Sequence, residues 1–226
     1  MLPFLTLFSP AFADEPVDLE LVLAIDASSS VEEAEWQLQR EGYASAFRDH
    51  EIQAAIVSGP NHRIAVSVVV WADATMPRWE SPWFTLAGPG EADSFSTFMA
   101  YLPRVPEGGT GIGMGVAAAI RKLDRNGLSA ARQVVDVSGD GRETPPRENV
   151  VMMPMARALA DARGVTINGL AIIDEEDLSL EHWYRNNVIT GPGSFVISVT
   201  NYANFATAIR KKLLKEIRHQ ERLSLR

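Results

Sequence analysis

Four apolar runs recur along the chain, each separated from the next by a stretch of helical spacing. They are Asp18 to Ile25 (DLELVLAI), Arg63 to Ala72 (RIAVSVVVWA), Arg132 to Ser138 (RQVVDVS) and Val165 to Ile173 (VTINGLAII). Runs that are apolar along most of their length, rather than at alternate positions, belong to strands covered on both faces. Strands of this kind alternating with helices give a mostly parallel sheet between two helical layers.

Two further strands complete the expectation. Ser194 to Thr200 (SFVISVT) is the last strand. Pro77 to Leu86 (PRWESPWFTL) is assigned to an edge, because Pro82 has no N–H to give to a central ladder. The predicted fold class is therefore α/β: a doubly wound, mostly parallel six-stranded sheet with one antiparallel edge strand and helices on both faces. Ser30-Val31-Glu32-Glu33 reads as a capping box opening one long helix to about Val57, which Ser58-Gly59-Pro60-Asn61 stops. Further helices are expected over Glu91 to Leu102, Gly111 to Asp124, Asn149 to Arg163, Leu178 to Asn187 and from Tyr202 onward.

The start of the chain reads differently. Met1 to Phe12 (MLPFLTLFSPAF) is apolar but too short to span a bilayer, and Pro3 and Pro10 argue against a core strand. Ala11-Phe12-Ala13 is an A-x-A pattern, followed by the polar Asp14-Glu15-Pro16. This predicts a secretory signal over residues 1–13 with cleavage after Ala13, and a single domain over 14–226. No Lys or Arg precedes the apolar stretch, a departure from the usual signal. The expected location is periplasmic or secreted.

Composition removes several classes. Lys+Arg 21 against Asp+Glu 29 gives 21 − 29 = −8, an acidic balance that argues against a nucleic-acid binder, which would usually carry a basic face. The absence of cysteine excludes disulfides, thiolate metal sites and cysteine nucleophiles. The four histidines, His50, His62, His182 and His219, have no metal-ligand spacing and are expected at the surface.

Chemistry in a doubly wound sheet sits at the carboxyl ends of strands, near the switch in strand order. Three loops there carry oxygen donors. Asp26-Ala27-Ser28-Ser29-Ser30 gives D-x-S-x-S, whose alternate positions project the same way. Gly108-Gly109-Thr110-Gly111 presents the Thr110 hydroxyl from a glycine-rich turn. Val137-Ser138-Gly139-Asp140-Gly141 ends in a carboxylate. Two carboxylates and three hydroxyls, with no nitrogen or sulfur, suit Mg²⁺, Mn²⁺ or Ca²⁺ and are poor for zinc or copper. Taken singly, each loop also reads as helix caps or a turn.

Asp26, Ser28, Ser30, Thr110 and Asp140 resemble the metal-ion-dependent adhesion site (MIDAS) of the von Willebrand factor A domain family. The strand–helix order resembles that family's sheet from about Asp18 to about Leu214. VDLELVLAIDASSSVEEAEWQLQREGYA and VVDVSGDGRE are most similar to an exported bacterial branch of it. The resemblance implies a non-catalytic binding module whose cation accepts an Asp or Glu carboxylate from a partner protein. One departure is Gly139, where the family commonly has Thr.

Other features have blander readings. Asp73, Asp174 and Glu175 follow predicted strands and are expected to be solvated loop acids. Trp71, Trp79 and Trp83 are expected to be packing residues. The last helix carries Arg210, Lys211, Lys212, Lys215, Arg218, Arg222 and Arg226 and reads as a solvated basic helix, with contact to anionic lipid as a weaker reading.

Two enzymatic readings compete. Val137-Ser138-Gly139-Asp140-Gly141 also resembles the Gly-Asp-Gly loop of Mg²⁺-dependent phosphatases of haloacid dehalogenase type, which would make Asp26 a nucleophile. The second aspartate of that family, two residues on, is Ser28 here. Gly111-Ile112-Gly113-Met114-Gly115 fails the G-x-G-x-x-G spacing of the dinucleotide template, only Gly113-x-Gly115-x-x-Ala118 fitting its looser form, and Pro103 to Glu107 before it is not a strand.

Overall fold

The computed structural model describes residues 14–104, 107–145, 148–174 and 177–218. The expected signal segment, His219 and Glu175 lie outside the described residues, as do Arg222 and Arg226.

The main sheet contains β2 (Glu20–Asp26), β3 (Ile64–Trp71), β4 (Trp79–Glu80), β5 (Phe84–Leu86), β7 (Gln133–Gly139), β8 (Thr166–Ile172) and β9 (Val196–Val199). Its order is β4-β3-β2-β7-β8-β9, with β5 also on β3. The strands β3, β2, β7, β8 and β9 run parallel, while β4 and β5 pair antiparallel with β3. The chain leaves β2 toward β3 and returns on its other side as β7. The switch in strand order therefore lies between β2 and β7, whose register pairs Ile25 with Ser138.

Every residue of β2 and β3 is buried, as their apolar composition requires. Alternate side chains feed two separate cores. Leu21, Leu23, Ile25, Val66, Val68 and Val70 pack on one face against α1 (Glu33–Arg48), α2 (His50–Ile56), α3 (Pro89–Ala100) and α7 (Phe205–Ile217). Val22, Ala24, Val69 and Trp71 pack on the other against α4 (Ile112–Lys122), α5 (Met153–Arg163) and α6 (Leu180–Asn187). Gly115 lets α4 approach the sheet: a Cβ there would lie 2.5 Å from Trp71 Cγ. The glycines that imitate a dinucleotide loop are thus used for packing. No helix among the described residues is long and apolar enough to cross a membrane.

Several expectations are corrected. The edge strand over Pro77 to Leu86 is two short strands, because Ser81 turns its hydroxyl onto Val68 N (2.8 Å) and Pro82 O (2.6 Å) between them. The long helix to Val57 is broken at Asp49, whose carboxylate accepts from Glu51 N (3.0 Å) and Ile52 N (3.2 Å) and so starts α2. The capping box sits two residues beyond Ser30: Glu32 is the N-cap and its N–H donates to Glu35 Oε2 at 2.8 Å. The helix expected from Asn149 starts at Met153, since Asn149 has a φ of 63°. A small parallel pair unforeseen in the sequence joins β1 (Glu15–Val17) to β6 (Leu128–Ala130).

The last helix is the largest correction. It packs on the sheet through Phe205, Ile209 and Leu213, and Lys212 on the same face is fully buried. Lys212 forms ion pairs with Asp136 of β7 and with Glu216 one turn on (3.0 Å). Arg210 pairs with Asp49 (2.7 Å) and Glu51 (3.1 Å), and Arg218 reaches Glu51 (3.7 Å). Lys212 is therefore withdrawn from the solvated face, while Arg210 and Arg218 pair at the surface.

Candidate functional site

The three predicted loops meet at the carboxyl ends of β2 and β7. Asp26 is the last residue of β2 and fully buried. Its Oδ1 accepts from Ser28 N at 2.8 Å, which folds the loop back over the carboxylate. Ser28 and Ser30 hydroxyls are 3.1 Å apart, and Ser30 donates to Asp140 Oδ1 at 2.6 Å. Ser30 is free for this because Glu32 caps α1 in its place. Thr110 belongs to the same rim: a Cβ on Gly141, next to Asp140, would lie 3.3 Å from Thr110 Oγ1.

Backbone contacts hold the loops in register. Ser29 N donates to Gly108 O at 2.9 Å, joining the first loop to the second. Thr144 N donates to Thr110 O at 3.0 Å, joining the third to the second. Glu143 accepts from Gly113 N (2.7 Å) and Met153 N (2.9 Å), so one carboxylate caps both α4 and α5. Neither helix has a side-chain cap from its own N-cap residue.

The electrostatics are unbalanced. Burial, then the charge of Asp140, holds the Asp26 carboxyl well above the usual carboxylate range. Burial also raises Asp140, against hydrogen bonds from Ser30 and Tyr202 that favour its ionised form. No Lys, Arg or His among the described residues pairs with either carboxylate. Asp26 Oδ2 is buried without a hydrogen-bond partner. Among the described residues no three Asp, Glu or His side chains cluster as metal ligands, so a cation here must draw on the hydroxyls.

Gly139 explains the departure at the third loop. A Cβ there would lie 2.7 Å from both Asp26 Oδ2 and the Tyr184 hydroxyl. The buried Tyr184 ring of α6 fills the space that a side chain would take. Sequence reasoning missed Tyr184, and also Tyr202, whose hydroxyl donates to Asp140 Oδ2 at 3.0 Å. It misjudged Asp73 as solvated. Asp73 is 9% exposed and accepts from Thr75 N (2.8 Å), Thr75 Oγ1 (2.7 Å) and Gly109 N (3.2 Å), bracing the second loop. Asp174 is exposed as expected. Trp71 is core, Trp79 packs tilted on Phe98 (ring centres 5.9 Å apart) and Trp83 donates to Lys122 O (3.3 Å), so the tryptophans pack as expected. His50, His62 and His182 are exposed.

The doubly wound sheet has the fold of von Willebrand factor A-type domains. Solved structures agree on the fold. The pilus adhesin SpaC of Lactobacillus rhamnosus GG matches with a TM-score of 0.63 at 13% identity, over 91% of this chain and 32% of that one. Proximal thread matrix protein 1 of the mussel byssus, solved with a zinc-occupied MIDAS motif, gives 0.59 at 16% identity, over 91% and 49%. The vWF domain of the type V pili tip protein Mfa5 of Porphyromonas gingivalis gives 0.60 at 12% identity, over 89% and 95%. The chain thus spans about a third of SpaC and about half of the mussel protein. No curated protein sequence matches it significantly. Within that class the chain belongs to the family described as "Protein of unknown function (DUF1194)", which matches residues 16–221.

Proposed function

We propose that the chain is a non-catalytic, exported binding module in which Asp26, Ser28, Ser30, Thr110 and Asp140 hold a divalent cation that takes a carboxylate from a partner protein. The observation that carries this reading is the pair of buried carboxylates without a basic partner among the described residues, linked through Ser28 and Ser30. Such a pair is costly unless a cation compensates it. The donor set fits one: all ligating atoms are oxygens, which favours Mg²⁺, Mn²⁺ or Ca²⁺. When bound, the cation supplies a positive, partly open coordination sphere for an acidic group. Ser28 and Ser30 orient Asp140, Glu143 and Asp73 brace the loops, and Tyr202 aligns the outer oxygen of Asp140.

The adhesin, matrix and pilus-tip relatives support binding rather than catalysis, and an exported location. The phosphatase reading is weaker. Asp26 is sealed from solvent, and Ser28 cannot serve as the general acid that an aspartyl nucleophile needs.

Calorimetry on chelator-stripped protein tests the reading, with wild type beside Asp140→Ala. Saturable binding of Mg²⁺, Mn²⁺ or Ca²⁺ by the wild type alone is expected, followed by metal-dependent capture of an Asp- or Glu-bearing peptide. Absence of binding for these ions and for Zn²⁺ would overturn it.

A further inference from the structure

At the opposite end of the sheet, where β7 and β8 begin, a cavity of about 410 Å³ opens beneath the last turn of α7. Arg132, Val134, Asn168, Phe195, Lys215 and Glu216 contribute to its lining. The volume falls within the range of small-molecule sites, about 300–1,000 Å³.

The polar groups here are unevenly satisfied. Asn168 is fully engaged: its amide donates to Glu216 Oε1 (2.9 Å) and its carbonyl accepts from Phe195 N (3.1 Å). Glu216 Oε1 also takes Lys212 Nζ at 3.0 Å. Burial, then the charge of Asp136, pushes the Glu216 carboxyl up to about 8, against the opposing pull of Lys212. Arg132 differs. Its Nη2 donates to Glu216 O (2.5 Å), but its Nη1 is buried and has no partner among the described residues. Glu216 Oε2 is likewise buried without a partner among the described residues, so the lining leaves one donor and one acceptor unmet. Lys215 sets a second cation nearby, with Nζ 3.7 Å from the centre of the Phe195 ring. Arg132 and Lys215 are the cations of the lining, Glu216 is engaged with Lys212, and Val134, Phe195 and Pro192 supply apolar walls.

We propose that this cavity binds a small organic monocarboxylate with an apolar tail, the carboxylate meeting Arg132 and Lys215 and the tail meeting Phe195 and Val134. Guanidinium and carboxylate match in charge and planar geometry. Mostly apolar walls with a few converging polar groups define such a ligand better than a bare inorganic anion. The site is independent of the cation-binding rim, which lies at the other ends of the same strands.

The test is calorimetric titration of chelator-stripped, metal-free protein with phenylacetate, acetate and inorganic phosphate. Without metal, the rim cannot hold a carboxylate. Phenylacetate is expected to bind saturably, at least about tenfold more tightly than acetate or phosphate. Arg132→Met and Lys215→Met should each weaken it by about tenfold or more, and Asp140→Ala should leave it unchanged. Lys215 is exposed, so Lys215→Met decides the matter if Arg132→Met fails to fold by circular dichroism. No saturable binding of phenylacetate at millimolar concentration, equal binding of phosphate, or binding that survives Lys215→Met would overturn the proposal.

Discussion

Tyr202 donates its phenolic proton to Oδ2 of Asp140 at 3.0 Å across 62 residues of sequence. The residue lies in a short 3₁₀ turn that leads directly into α7, so the last helix starts on the carboxylate offered by the third loop. Outer hydrogen bonds of this type orient a metal-ligating carboxylate, and their loss costs about 10–100-fold in metal affinity. On the proposed cation site, Tyr202→Phe should therefore weaken binding by about tenfold, measured by calorimetry. Unchanged affinity would reduce Tyr202 to a packing residue.

Gly139→Ala should destabilise the fold by about 1–3 kcal/mol, because its new methyl would press on Asp26 Oδ2 and the Tyr184 hydroxyl, both 2.7 Å away. Tyr184→Phe removes a buried hydroxyl that has no partner, so alone it should cost little. Combined with Gly139→Ala it should restore part of the loss, as read by urea denaturation. Strict additivity of the two substitutions would contradict this account.

Glu143 gives one oxygen to the N-terminus of α4 and the other to that of α5. Glu143→Ala should cost about 1–2 kcal/mol, the range for a lost helix cap, with Glu143→Gln intermediate. Thermal denaturation ranks the three proteins. If Glu143→Ala matches the wild type, solvent caps these helices equally well.

Glu216 predicts a pH dependence. Burial and the charge of Asp136 place its folded-state value near about 8, above the ordinary value for a free glutamate. The folded state therefore keeps a proton that the unfolded chain releases. The associated stability is fully present below the unfolded value of about 4.3 and is lost as pH rises through the folded value. Metal-saturated wild type should lose stability between mildly acidic and mildly alkaline pH, and Glu216→Gln should flatten that slope in urea titrations. Parallel slopes for the two proteins would contradict the assignment.

Lys212→Met should cost about 3–5 kcal/mol, since it leaves the buried Asp136 without its counter-charge. Replacing Asp136 by Asn in the same chain should recover much of that loss. A mild effect of Lys212→Met alone would mean that water enters the cluster.

The sheet was legible because β2, β3, β7 and β8 are buried on both faces and so carry apolar residues almost throughout. Two of the three loops were legible because each closes such a strand with oxygen-bearing side chains; the Gly108 to Gly111 loop follows α3 and was legible only from its glycines and Thr110. What escaped depends on contacts distant in sequence. Ser30 and Glu33 have the spacing of a capping box, yet Glu32 caps α1 and the Ser30 hydroxyl goes to Asp140, 110 residues away. Asp73 carries no local sign that Gly109 will need its carboxylate. The burial of Lys212 did leave a trace: with Glu216 it stands on the apolar stripe of Phe205, Ile209 and Leu213, a position that a solvated cation would avoid. The break at Asp49 had no glycine or proline to announce it.

The cluster of Lys212, Asp136 and Glu216 gives α7 a single seat on the sheet. Sliding the helix along its axis by one residue would turn it by about 100° and swing the ammonium away from Asp136. That would strand a carboxylate in the interior, at several kcal/mol. A greasy helix can creep over a greasy sheet through many nearly equal positions. This one is indexed like a key with one cut, and its position relative to β7 is either correct or lost.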